Sequence, residues 1–125
     1  MLSTRVKEFL AKYVSSAELL DILMLMHREP DQVWTAESVS NRVFTVPQAA
    51  ERRLEELEAV GLVRKNPDAP GTFVINDSND AVKTSLADVR AAYETDRVEV
   101  VGAVFKMRAD PLQSFSDAFR LRGDS

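Results

Sequence analysis

Between Pro47 and Lys65 the chain carries a dense run of side chains able to make directed polar contacts: Gln48, Glu51, Arg52, Arg53, Glu55, Glu56, Glu58, Arg64 and Lys65. Gln and Arg can each hold a planar partner through two hydrogen bonds, and Arg and Lys can neutralise an anion. The same residues can also satisfy one another. Residues 47–60 hold two arginines against four glutamates, a net of −2. Arg–Glu pairs one helical turn apart stabilise a helix by a few tenths of a kcal/mol each.

No catalytic set is visible elsewhere. The single histidine, His27, stands at the end of an apolar helical stretch, where a cation complements the helix dipole. Cysteine is absent. That removes thiolate chemistry, and one histidine is too few for a transition-metal site. The Gly-bearing stretch "GLVRKNPDAPG" lacks the Gly-Lys-Ser/Thr ending of a phosphate-binding loop. The remaining acids fall on helix faces, as solvated surface does. We therefore expect no enzyme, no cofactor and no metal.

With 125 residues, 45% of them hydrophobic and 29% charged, the chain reads as one globular domain, 1–125. The opening "MLSTRVKEFLAKYV" has charges spaced through it, so it is not a secretory signal. No segment reaches the ~20 apolar residues that span a bilayer. Without cysteine to form disulfides, the expected setting is a reducing one, and the expected location is the cytoplasm.

The elements that must position the polar run follow from periodicity. Residues 1–15 form an amphipathic helix, with Leu2, Val6, Phe9, Leu10 and Tyr13 on one side. Ser15 and Glu18 have the spacing of a capping box, restarting the chain as "AELLDILMLMHRE". That helix is apolar all round, so it should be buried on more than one side. Val33 and Trp34 suit a brief strand. Thr35 suits an N-cap for "AESVSNRV", and Pro47 the first position of the following helix. Val46, Ala50, Leu54 and Leu57 share a face that Val60 closes. Gly61 is the expected left-handed stop. "LVRKN" and "TFVIN" around "PDAPG" read as a hairpin. The predicted fold is mainly α with a small β-hairpin (α+β).

This order, with "WTAESVSNRVFTVPQAAERRLEELEAVGLV" at its centre, resembles the winged helix-turn-helix of small bacterial MarR/PadR-like transcriptional regulators. The resemblance covers residues 16–76, and a long C-terminal helical segment, 77–125, follows it. It implies that the helix from Pro47 enters the major groove of DNA. Carried onto this sequence, Gln48, Ala49, Arg52 and Arg53 would meet base edges. Gln suits adenine and Arg guanine. Arg42, Arg64 and Lys65 would meet phosphates. Glu51 could accept from a cytosine amino group. The hairpin tip offers Asp68 and no cation.

Residues 78–107 read as one long helix or two in series, with Leu86, Val89, Tyr93, Val100, Val104 and Met107 along a seam. Val98, Val101 and Phe105 widen the apolar surface, and Asp110 and Pro111 open a last short helix bearing Phe115 and Phe119. Either this surface folds over the first helices or it pairs with a second chain. For a homodimer the docking residues would be Tyr93, Val100, Val101, Val104, Phe105, Phe115 and Phe119.

Two functions fit. One is a dimeric DNA-binding regulator, with no membrane association. The other is a winged helix that binds a protein partner and has no useful DNA affinity. The regulator requires Arg42, Arg52, Arg64 and Lys65 to line one positive face, repeated in a second chain about 34 Å away. The net charge of −4 argues the other way, because phosphate neutralisation supplies most non-specific affinity.

Overall fold

The structure, a computed structural model, describes residues 1–109. It is mainly helical, with one two-stranded antiparallel sheet. The elements are α1 (Thr4–Tyr13), α2 (Ala17–Arg28), α3 (Ala36–Val43), α4 (Pro47–Ala59), β1 (Val63–Lys65), β2 (Phe73–Ile75), α5 (Asp80–Thr95) and α6 (Arg97–Ala109). Contacts divide the chain into two compact units. One is Met1–Ala17 with the chain from Asp80 onward; the other is Glu18–Asn79. Among the described residues no helix is long and apolar enough to cross a membrane.

In the first unit α1 packs against α5 and α6, which also pack against each other. Ser3 caps α1, its hydroxyl accepting from the Val6 N–H at 3.2 Å. Val6, Phe9 and Leu10 are buried, as the helical spacing requires. The C-terminal segment resolves into two helices in series. Asp96 is the reason: its carboxylate accepts from the Glu99 N–H at 3.1 Å. An Asp that bonds its own downstream backbone ends one helix and caps the next. Leu86, Val89, Val100 and Val104 are buried, so the seam read from the sequence is the inward face of this unit.

In the second unit α3 packs on α4, and α4 on β1. Leu19, Leu20, Ile22, Leu23, Met24, Leu25 and Met26 of α2 are all buried, which is what its all-round apolar pattern demanded. Because α2 begins at Ala17, Glu18 stands a position too early for the capping box expected with Ser15. Thr35 and Ser38 form such a box at α3 instead. The Ser38 N–H donates to Thr35 Oγ1 at 3.0 Å, and the Thr35 N–H to Ser38 Oγ at 2.9 Å.

Ala50, Leu54 and Leu57 are fully buried on the inner side of α4. Val46 and Val60, expected to extend that stripe, are 58% and 44% exposed. Both flank the helix rather than belong to it, so its periodicity does not govern them. Gly61 takes φ +83° and turns the chain into β1. The strands pair Val63 with Ile75, Arg64 with Val74 and Lys65 with Phe73. The brief strand expected at Val33–Trp34 is a single bridge. Trp34 and Phe73 exchange both backbone hydrogen bonds, at 2.9 and 2.7 Å.

Candidate nucleic-acid interface

The α3–turn–α4 segment and the β1–β2 hairpin hold every residue expected to meet DNA. Thr35 fixes the start of α3, and Phe44 ends it in a left-handed conformation, φ 59° and ψ 48°. Val46 occupies the N-cap of α4 and supplies no side-chain hydrogen bond. Pro47 has no N–H, so the Gln48 and Ala49 N–H groups are the first donors of α4, and the N-cap Val46 side chain does not cap them. The first turn also holds no acidic residue. Such an open helix start is a natural anion-binding end.

Gln48 is exposed at the second position of α4, and Arg52 is exposed one turn further along the same face. Arg64 is exposed on β1. Among the described residues, neither Arg52 nor Arg64 has a carboxylate within ion-pair distance. These three side chains are all exposed to solvent.

The other four are not equivalent to them. Ala49 is 9% exposed, so it fills the packing of α4 and presents almost nothing to a groove. It lies one residue before Ala50 on a helix whose inner face is aliphatic, which tilts it inward. Arg53 is half-buried. Its Nε donates to Glu18 Oε1 at 3.1 Å and its Nη1 to Glu56 Oε1 at 2.8 Å. It ties α4 to the first turn of α2. Arg42 donates to Glu29 Oε2 at 2.7 Å, and its guanidinium lies 5.6 Å from the Trp34 ring centre. Lys65 Nζ sits 3.4 Å from Glu55 Oε2. These last two pairs are solvent-exposed, about half so on the cationic side. Exposed pairs contribute ~0–1 kcal/mol, so a phosphate can take either cation at small cost.

Beside α4 a cleft of about 440 Å³ is lined by Glu37, Glu51 and Glu55, with Lys65 and Phe73. Glu51 and Glu55 are exposed on the same side of α4 as Gln48 and Arg52. The positive face expected of a DNA reader is therefore interrupted by carboxylates.

Phe44 had no role in the sequence reading. It is 95% exposed in a backbone conformation that bulky residues rarely adopt. A large apolar residue just after a short helix, where Gly or Asn is usual, was the available signal.

Of the residues expected at a dimer contact, Val100 and Val104 are buried within their own chain, at 0% and 1% exposure. Tyr93 is half-buried, and its hydroxyl accepts from Arg97 Nε at 3.1 Å. Val101 is half-buried, and Phe105 is 63% exposed. Phe115 and Phe119, with the cap expected at Asp110–Pro111, lie outside the described residues.

Comparison of the chain with protein-family models, curated proteins and solved structures gives no significant match.

Proposed function

We propose that the chain is a winged helix-turn-helix DNA-binding transcriptional regulator of the bacterial cytoplasm, acting as a homodimer. The observation that carries this reading is the start of α4: an uncapped helix N-terminus, free of acids, with Gln48 and Arg52 exposed one turn apart. In the proposed complex the N-terminal turn of α4 enters the major groove. Gln48 addresses an adenine edge and Arg52 a guanine edge. Arg64, Arg42 and Lys65 meet phosphates, the last two by leaving Glu29 and Glu55. The two-stranded hairpin, with the Trp34–Phe73 bridge beside it, serves as the wing. The test is a titration against random-sequence duplex at low salt. Binding that falls at least tenfold on Arg52→Ala supports the reading, and no binding by the intact protein overturns it.

A second reading is favoured by the cleft between Glu37, Glu51 and Glu55. Three carboxylates against one lysine suit a basic polypeptide better than a phosphate backbone. On that reading the same fold docks a protein partner, and the titration gives no duplex binding at any salt.

A further inference from the structure

The described part of α6 has two apolar faces. Val100 and Val104 are buried in their own chain. On the opposite side Val98 is 80% exposed and Phe105 63% exposed. Val101 and Gly102 stand between them at helical spacing, and a Cβ added at Gly102 would meet nothing within 4 Å. A stripe at positions i, i+3, i+4 and i+7 is the pattern of a helix that meets another helix.

The stripe is its own complement when a second copy is laid antiparallel upon it. With the two-fold axis near Val101 and Gly102, Val98 of one chain meets Phe105 of the other, and the reverse. Glu99 and Lys106 are both exposed and lie on the same flank of the stripe. Antiparallel helices bring like flanks together, so Glu99 of each chain, whose carboxylate also lies 3.3 Å from its own Met1 ammonium in an exposed pair, faces Lys106 of its partner. The helix dipoles oppose each other in this arrangement, which is favourable. Arg97 and Arg108 fall on the other flank, and Arg97 is drawn back over the Tyr93 ring, 5.8 Å from its centre. Gly102 at the crossing permits the close approach that two bulky residues would prevent.

We propose that two copies of this chain associate through the outer face of α6, antiparallel about Val101 and Gly102, with Val98 on Phe105 and Glu99 on Lys106. This rests on the homodimer of the proposed function but not on its DNA contacts. Of the contact expected from the sequence it keeps Val101 and Phe105 and leaves out Val100 and Val104, which are buried in their own chain. A pair of 13-residue helices makes an interface at the small end of the known range. The dimer should therefore dissociate on the order of micromolar concentration.

The test uses the full chain without DNA. Sedimentation equilibrium should give a concentration-dependent dimer. Phe105→Glu should raise the dissociation constant at least tenfold while leaving the far-ultraviolet circular dichroism unchanged. Lys106→Glu should weaken the dimer, and adding Glu99→Lys to it should restore the dimer to within about threefold. Because the chain has no cysteine, cross-linking reports geometry directly. Gly102→Cys alone should form an inter-chain disulfide, as should the pair Val98→Cys with Phe105→Cys, whereas neither of those single variants should. A chain monomeric at several hundred micromolar overturns the proposal, as does a stripe covered by the chain's own residues 110–125. Self-cross-linking of Phe105→Cys alone overturns the antiparallel arrangement. A stable dimer with no duplex affinity would retain this inference while overturning the DNA reading.

Discussion

Arg53 reaches from α4 to Glu18 on α2, Nε to Oε1 at 3.1 Å, while its neighbour Arg52 is exposed and, among the described residues, has no carboxylate within ion-pair distance. Two adjacent arginines thus do different work. Arg53 is 27% exposed and holds a second carboxylate, Glu56, at 2.8 Å. Removing it takes this guanidinium away from the half-buried Glu18 and Glu56 carboxylates. Arg53→Ala should lower unfolding free energy by about 1–2 kcal/mol in urea titration. Arg52→Ala should stay within about 0.5 kcal/mol of the parent. Equal losses at the two positions would refute this division.

Phe44 combines a left-handed backbone with 95% exposure. The conformation costs a bulky residue about 1–2 kcal/mol, and the exposed ring recovers almost none of it through burial. Phe44→Asn should therefore raise the melting temperature by several degrees, corresponding to about 1 kcal/mol. A lower melting temperature would mean that the ring packs in solution.

Thr35 and Ser38 satisfy each other's backbone N–H at the start of α3. Thr35→Ala should cost about 1 kcal/mol of stability, and Thr35→Ser much less, in the same urea titration. A neutral Thr35→Ala variant would show that the box contributes nothing.

Asp96 divides α5 from α6 through its bond to the Glu99 N–H. Asp96→Ala should destabilise by about 1 kcal/mol, and Asp96→Asn should retain most of the stability. Circular dichroism with thermal melting separates the two.

If DNA is bound, Arg42, Arg64 and Lys65 are the phosphate contacts of each chain. Three phosphates predict a slope of log K against log salt of about −3 per chain. Lys65→Ala should flatten it by about 1. A slope indistinguishable from zero would argue against phosphate neutralisation.

Most of the fold is legible in the sequence because its signals are local. The all-round apolar pattern of α2, the Thr35 cap, Pro47 at the head of α4 and Gly61 at its end each arise from a few neighbouring residues. The inward Ala50, Leu54 and Leu57 follow from spacing alone. Other features depend on partners remote in sequence. Nothing in "ERRLEELEA" tells which arginine turns toward Glu18, thirty-five positions away from Arg53. The exposure of Val46 and Val60 is fixed by where the helix starts and stops. The choice between Val100–Val104 and Val98–Phe105 as the inner face needed the placement of α1. Ala49 was misread for a similar reason: exposure at a helix start depends on a rotation that a few residues define poorly.

The reciprocal hydrogen bonds between Trp34 and Phe73 have a further consequence. They fasten the chain just before α3 to the far strand of the hairpin, so everything between is enclosed in a backbone ring. The hairpin cannot swing outward as a flap without first unlatching Trp34. In deuterium exchange the amides of those two residues should open together, and no slower than the Thr35-capped start of α3 permits.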